Sequence, residues 1–175
     1  DSLKREFKTS GGRKVFDGDG LDPDVFIEGE TYGSVVIELV GSGYIFDYAT
    51  KYCGEHAVPV TLKNFTLTDE EYQKFVSWVK EQKFSYATEW DQKAEDLITS
   101  AKKEKYYDEL QSPLKDLKIK LEQSKNSALI RFKPELSEIL AQEIAFHYRL
   151  APGQIEISMD SDQEIKEAKR VLSDP

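Results

Sequence analysis

From Thr68 onward the sequence repeats one pattern, a helix-starting signal followed by apolar residues at helical spacing. Thr68-Asp69-Glu70-Glu71 has the capping-box arrangement, in which Thr68 accepts a hydrogen bond from the first turn and Glu71 reaches back. A stripe at i, i+3, i+4 and i+7 follows, made of Tyr72, Phe75, Val76 and Val79. Strand side chains alternate with a period of two, so this spacing predicts a helix with one buried face.

Further helices are predicted downstream on the same grounds. One runs from about Glu89 to Tyr107 and has an inward stripe made of Trp90, Ala94, Leu97, Ile98 and Ala101. Ser112-Pro113 pairs a cap with proline at the first helical position and opens a helix that carries Leu114, Leu117, Ile119 and Leu121. Lys133-Pro134 opens the next helix, with Leu136, Ile139, Leu140, Ile144 and Tyr148.

The last predicted helix follows a break at Ala151-Pro152-Gly153. A second capping box from Ser161 to Glu164 starts it, and its inward residues are Ile165, Ala168, Val171 and Leu172. Upstream, Tyr32 to Val40 is a short apolar segment ended by Gly41-Ser42-Gly43. Residues Tyr44 to Tyr52 have helical spacing, with Gly54 as the stop, and Ala57 to Val60 reads as an extended linker.

The first 31 residues have a different texture, rich in glycine and aspartate. Lys14-Val15-Phe16 and Val25-Phe26-Ile27 are predicted strands, and turn formers fill the segment between them. Two such strands bury too little apolar surface to fold alone. We therefore interpret them as the last strands of a sheet whose other members lie outside the chain, which makes the predicted fold α+β and mainly α-helical.

Composition limits the functional classes. The net charge of -9 argues against nucleic-acid binding, which needs a basic surface. No run approaches the roughly 18 apolar residues that span a bilayer. The single cysteine, Cys53, excludes an internal disulfide, and with His56 it lacks a third, orienting group for nucleophilic catalysis.

Other candidate sites favour structural interpretations. His147 has only Glu143 as a possible co-ligand at helical spacing, so we expect a core or boundary histidine. Phe84, Tyr86 and Trp90 could line a peptide groove but are more typical of helix packing. Asp17, Asp19 and Glu28 take the first, third and twelfth places of an EF-hand-like calcium loop, whose fifth and sixth places fail at Leu21 and Asp22.

The run from Gly12 to Val25, GRKVFDGDGLDPDV, resembles the segment that closes the core of carboxy-terminal processing (tail-specific) serine proteases. It is most similar to the Bacteroidetes-like forms with a long helical C-terminal extension. Asp1 to Thr9 looks like the segment before that run, and Ile45 to Tyr52 looks like the helix after the core. One departure is Asp19, where a small residue is commoner.

This resemblance implies that the parent protein is a serine-type peptidase with a Ser nucleophile and a Lys general base. Both motifs precede the G-R-x-V run in the family, so we expect them upstream of Asp1, together with a PDZ-like segment. No catalytic, cofactor-binding or metal-binding residue is carried over to this chain, and no cofactor is implied. Gly33-Ser34 and Gly41-Ser42-Gly43 offer the only Gly-Ser pairs, and both are expected to be helix boundaries.

Two domains follow from this interpretation. Residues 1–56 form the C-terminal end of the protease core, and residues 57–175 form the helical extension. Expected partners are protein or peptide substrates, bound through the parent, and the missing core on which the extension packs. The expected location is periplasmic, cell-envelope or secreted. By itself this fragment is predicted to be inactive and structural or regulatory. An alternative is a non-enzymatic helical interaction module with a calcium-binding Asp/Gly loop.

Overall fold

A short β hairpin precedes a series of helices in the computed structural model, which describes residues 5–12, 14–16, 25–29, 31–159 and 161–173. The chain divides into two compact units, Asp1–Glu30 and Thr31–Pro175. The sequence placed its domain boundary further on, between residues 56 and 57, as the end of a protease core. Where the parent's core ends stays a prediction.

The first unit contains the strands β1 (Glu6–Lys8) and β2 (Lys14–Phe16), paired antiparallel with Phe7 opposite Val15. The amide of Gly12 donates to the carbonyl of Thr9 at 2.9 Å, and Gly12 has a φ of 82°, which glycine adopts without steric cost. The predicted strand at Lys14–Phe16 is thus confirmed. The one at Val25–Ile27 is wrong, since those residues lie in irregular backbone.

The second unit is helical, and the mainly α-helical fold class is confirmed. Its elements are α1 (Ser34–Gly41), α2 (Tyr44–Glu55), α3 (Asp69–Glu81), α4 (Glu89–Lys103), α5 (Tyr107–Asn126), α6 (Ala128–Arg131), α7 (Lys133–Ser158) and α8 (Gln163–Ser173). Across the described ranges, none of these helices has the length and apolar character that crossing a membrane requires.

The core lies where α1, α2, α3, α6 and the first half of α7 meet. Its largest fully buried side chains include Tyr72 and Phe75 of α3, Leu39 of α1, and Leu136 and Ile144 of α7. The ring of Phe75 meets that of Tyr48 edge-on, 5.1 Å between centroids. The Tyr72 hydroxyl donates to the carbonyl of Leu129 at 2.5 Å, so its burial among apolar side chains leaves no unpaired polar group.

The predicted start of α3 is confirmed in detail. The amide of Glu71 donates to the Thr68 hydroxyl at 3.2 Å, and the Glu71 carboxylate accepts from the Thr68 amide at 2.7 Å. A capping box that the sequence did not predict starts α4: Thr88 and Asp91 make the same reciprocal bonds at 3.1 and 2.7 Å. The predicted stripe of α3 is buried at all of its positions: Tyr72, Phe75, Val76 and Val79.

The helices α4 and α5 pack against each other as a two-helix arm (residues 89–126). They run antiparallel, since Asp91 at the start of α4 pairs with Lys125 at the end of α5. Here several sequence predictions were wrong. Proline 113 lies inside α5 rather than at its start, and α4 ends at Lys103 rather than near Tyr107. Of the predicted inward stripes, Ala94, Ala101 and Leu114 are buried, whereas Trp90, Leu97, Leu117 and Ile119 are exposed. Helical spacing predicts which residues share a face of the helix, but it does not predict whether another helix covers that face.

A sharp bend divides α7 at Leu150, which has φ 54° and ψ -150°. The predicted break at Ala151-Pro152-Gly153 is confirmed within one residue. Proline fits the first turn of a helix but not its interior, so the helix is interrupted just before Pro152. Beyond the bend, α8 begins at Gln163, and the predicted capping box from Ser161 to Glu164 was wrong: the cap is Asp162, whose carboxylate accepts from the Ile165 amide at 3.0 Å. The predicted inward face of α8 was wrong, since no residue of α8 is buried.

Candidate functional site

The two Gly-Ser pairs lie at helix boundaries, as predicted. Ser34 is the first residue of α1, and a side chain on Gly33 would collide with the Phe132 ring at 2.6 Å, so glycine is required there by close packing. Ser42 lies between α1 and α2, and its hydroxyl donates to the Glu38 carboxylate. A surface hydroxyl held by a carboxylate lacks the buried lysine that a Ser/Lys dyad uses.

The Cys53 thiol points into helix packing rather than toward a base. It lies 3.8 Å from the carbonyl of Ile144, and burial raises its pKa even though a hydrogen bond with Tyr148 opposes that effect. The ring of His56 stacks on Tyr52 with centroids 4.0 Å apart, and its Nδ1 lies 2.9 Å from the Tyr52 carbonyl. A thiol with a raised pKa is a weak nucleophile at neutral pH.

His147 is a boundary residue that ties α7 to α2. Its Nε2 lies 2.9 Å from the hydroxyl of Thr50, and its Nδ1 lies 2.9 Å from the carbonyl of Glu143. The ring also lies against Phe46, 4.7 Å between centroids. These contacts occupy both ring nitrogens, and they confirm the boundary interpretation.

The aromatic cluster predicted around Phe84 separates into two parts. Phe84 stacks on Tyr86 with centroids 5.6 Å apart and meets Tyr44 edge-on at 5.0 Å, so both rings serve helix packing. Trp90 stands apart on the surface of α4, where the ammonium of Lys93 lies 5.3 Å from its ring. A cavity of about 170 Å³ opens beside Phe84 and Tyr86. That volume is below the few hundred cubic ångströms typical of small-molecule sites.

A second cavity lies inside the bend of α7, where the segment after the bend folds back toward the loop before α3. Its volume is about 470 Å³, and its lining includes the apolar Phe65, Ala141 and Ile157. The buried hydroxyl of Ser137 faces no hydrogen-bond partner in the described part of the chain and also lines this cavity. The cavity has the volume and apolar lining of a small-molecule site, with Ser137 as an available donor.

A polar cluster that the sequence did not predict holds the bend in place, and we call it the clasp: Thr61, Leu62, Lys63, Arg149 and Glu156. One carboxylate oxygen of Glu156 accepts from the amides of Leu62 and Lys63 at 2.9 and 3.1 Å and from the hydroxyl of Thr61 at 2.8 Å. The guanidinium of Arg149 pairs with Glu156 at 3.0 Å. The Thr61 bond and the two amide bonds lower the pKa of Glu156. Thr61, Leu62 and Lys63 lie 93 to 95 residues before Glu156 in sequence, so only the break itself was a visible signal.

The candidate calcium ligands Asp17 and Asp19 lie outside the described residues, so that hypothesis stays a prediction. Among the residues described, no cluster of three or more His, Cys, Asp and Glu side chains could hold a metal ion. No Ser–Lys or Cys–His pair in the positions proposed above has the geometry of a catalytic dyad.

Comparison with known proteins agrees with this description. The family model described as "Probable PDZ-protease, C-terminal helical domain" matches residues 35–172. No curated protein and no solved structure matches the chain. The matched region begins in α1 and ends in the last turn of α8, so it spans the helical unit almost completely. The chain therefore belongs to the family of C-terminal helical domains of probable PDZ-proteases.

Proposed function

We propose that this chain is the non-catalytic C-terminal part of a serine-type endopeptidase of the carboxy-terminal processing kind. In this proposal the parent cleaves protein substrates outside the cytoplasm through a Ser/Lys dyad that lies upstream of Asp1. The observation that carries the proposal is the family match over residues 35–172, whose description names a protease parent. The motif from Gly12 to Val25 supports the serine type by resemblance.

The hairpin supplies a structural argument for a missing sheet. Within the described residues each strand of this two-stranded sheet keeps one edge without a strand partner, and Phe7 and Phe16 are about half exposed on opposite faces of the hairpin. Such a hairpin is marginal by itself in water. We propose that β1 and β2 add to the sheet of the upstream protease core, which pairs their edges and covers both phenylalanines.

The helical unit is proposed to act on the same enzyme without taking part in its chemistry. One continuous core joins α1, α2, α3, α6 and α7, so the unit is a stable body rather than a flexible tail. We propose that this body packs on the protease core and limits which unfolded chain ends reach the active site. That role needs a rigid shape at a fixed place, and the clasped bend of α7 provides rigidity.

The first test compares the full parent with a version that ends after Glu30, so that the helical unit is removed as a whole. We expect the shortened enzyme to cleave an unstructured peptide at an unchanged rate and to lose discrimination between folded and unfolded protein substrates. A parallel variant with the upstream Ser replaced by Ala should be inactive on both. Unchanged discrimination would refute the proposed role of the helical unit, and an active Ser variant would refute the serine-type assignment.

The second test concerns the chain alone. Purified residues 1–175 should not degrade unfolded casein, because the dyad is proposed to lie upstream. Turnover that persists through repurification would contradict the proposal.

A further inference from the structure

One face of α7 forms a wall of the cavity inside the bend. Pro134, Ser137 and Ala141 follow one another at spacings of three and four residues, and all of them border the cavity. Phe65, from the loop before α3, and Ile157, from beyond the bend, add apolar surface from other directions. The clasp ties these two segments together, so the cavity of about 470 Å³ is preformed, as ligand sites usually are.

The hydroxyl of Ser137 is an unexplained polar group beside this cavity. It is enclosed and has no hydrogen-bond partner in the part of the chain that the structure describes. Serine inside a helix commonly donates to the carbonyl one turn earlier, and an unpaired buried polar group costs free energy. Rotation about the Cα–Cβ bond of Ser137 to another staggered position turns the hydroxyl toward the cavity, where the carbonyl of a ligand can accept its hydrogen bond.

Two opposite charges border the cavity without meeting each other. Glu138 of α7 and Lys166 of α8 both line it and are both exposed, and neither forms an ion pair with any residue that the structure describes. A ligand with a single charge is attracted by one of these groups and repelled by the other. The pair therefore favours a ligand without net charge.

A peptide group has the polarity that these side chains complement. It carries one N–H donor and one C=O acceptor, which match the carboxylate of Glu138 and the ammonium of Lys166. The side-chain amides of Asn64 and Gln142 also line the cavity, and within the described residues they make no hydrogen bond. Each of these amides can both donate and accept, as a bound peptide requires.

We propose that this cavity binds an uncharged peptide segment. An apolar side chain such as that of leucine enters the space beside Phe65, Ala141 and Ile157, and the peptide groups next to it meet Glu138 and Lys166. The hydroxyl of Ser137 donates to a carbonyl of the bound segment. The proposal does not depend on the protease role of the parent, because every residue that it uses belongs to this chain.

The first experiment titrates the isotope-labelled 175-residue chain with N-acetyl-leucine methylamide and follows the amide signals by NMR. We expect a dissociation constant on the order of 1 mM, typical for so small a ligand. The shifts should centre on the amides of Thr66, Ala141 and Ile157, which line the cavity.

Three analogues define the chemistry of the ligand. N-acetyl-leucine, which has a free carboxylate, and leucine methylamide, which has a free ammonium, should each bind several times more weakly than the blocked compound. N-acetyl-glycine methylamide, which lacks the side chain, should not bind measurably. A charged analogue that binds as well as the blocked compound, or shifts spread evenly over the surface, would overturn the proposal.

Ser137→Ala removes the hydroxyl and leaves the volume of the cavity almost unchanged. The free chain should melt at a higher temperature, because an unpaired buried polar group is gone. The affinity for N-acetyl-leucine methylamide should fall about threefold to tenfold, because a carbonyl of the ligand loses its donor. Ser100→Ala, at an exposed position of α4, is the matched control and should leave the affinity unchanged. A lower melting temperature or an unchanged affinity in Ser137→Ala would contradict the proposal.

Charge reversal at the cavity should change which analogue binds best. Glu138→Lys leaves two ammonium groups there and should prefer N-acetyl-leucine, whereas Lys166→Glu leaves two carboxylates and should prefer leucine methylamide. Glu109→Lys, at an exposed position of α5, is the control and should keep the original order of affinities. Circular dichroism checks the fold of each variant, and Glu138→Gln or Lys166→Gln replaces one that does not fold, with the expectation that it no longer discriminates against the matching charge. An order of affinities that no substitution at these two positions alters would overturn the proposal.

Discussion

The helical body around α2, α3 and α7 and the two-helix arm are built from similar sequence patterns but differ in what covers their apolar faces. The body buries whole stripes, with Tyr72, Phe75 and Leu140 fully enclosed. The arm fully buries only two alanines and one leucine, and most of its larger apolar side chains, such as Trp90 and Leu97, are exposed. The same amphipathic spacing therefore yields a core in one region and a surface in the other, according to how many helices converge there.

This difference predicts unequal sensitivity to cavity-forming substitutions, with the largest effect in the body. Phe75→Ala should lower the free energy of unfolding by about 3–5 kcal/mol, because Phe75 is fully enclosed by Tyr48, Tyr72 and their neighbours. Urea unfolding followed by circular dichroism measures it. Leu114→Ala in the arm should instead speed amide exchange in α4 and α5 while body amides keep their protection. Equal losses throughout would mean that arm and body unfold as one unit.

Two glycines of the helical unit make a matched pair, Gly153 just after the bend of α7 and Gly54 in α2. A methyl group on Gly153 would lie 2.4 Å from the carbonyl oxygen of Ala145 and 2.9 Å from Cβ of Arg149, so Gly153→Ala should destabilise the body by about 1–3 kcal/mol. Gly54 lies in α2 with no other atom within 4 Å of such a methyl group. There Gly54→Ala should stabilise by about 0.5–1 kcal/mol, because alanine favours the helix. Thermal melts of both variants decide the point, and a tolerated Gly153→Ala would show that the bend is loose.

The comparison of body and arm also shows how much of this fold the sequence predicts. Local signals were sufficient where they act within a few residues: the capping box at Thr68, the helix start at Lys133-Pro134 and the break before Pro152 are all confirmed. Predictions that depended on a covering partner failed, as for Trp90 in α4 and Leu172 in α8, since spacing carries no information on burial. The clasp that joins Glu156 to the amides of Leu62 and Lys63 was invisible because those partners lie more than 90 residues away in sequence.

The sequence wrongly predicted that a helix starts at Ser112-Pro113, and the observed position of Pro113 inside α5 gives a third prediction. Proline at position 113 removes the hydrogen bond to the carbonyl four residues earlier, yet α5 continues through it from Tyr107. Pro113→Ala should therefore stabilise the arm by about 2 kcal/mol, part of the roughly 3 kcal/mol that proline costs inside a helix. Amide exchange in α4 and α5 is the measurement. No change would mean that the helix effectively starts at the proline, as the sequence first indicated.

The smallest expected effect concerns the two capping boxes, at Thr68 in the body and at Thr88 in the arm, and how the free energy of unfolding of each region depends on pH. Burial opposes ionisation of Glu71, but hydrogen bonds from the Tyr52 hydroxyl and from Thr68 outweigh it and lower the pKa of Glu71 below its ordinary value of 4.5. In Asp91 burial likewise opposes ionisation, and bonds from Thr88 and Lys125 lower the pKa below 3.8.

A lowered pKa in the folded state means that the stabilisation is fully present above the unfolded pKa and is lost as pH falls through the folded one. Stability should thus decline below about pH 4.5 for the body and below about pH 3.8 for the arm. Glu71→Gln should flatten the first decline and Asp91→Asn the second, each with a loss near 1 kcal/mol at neutral pH, the usual magnitude of a cap. Unfolding curves and arm-specific amide exchange from pH 3 to 7 separate the two. If Asp91→Asn flattened the body's decline as well, the arm would be coupled to the core more tightly than its few buried side chains imply.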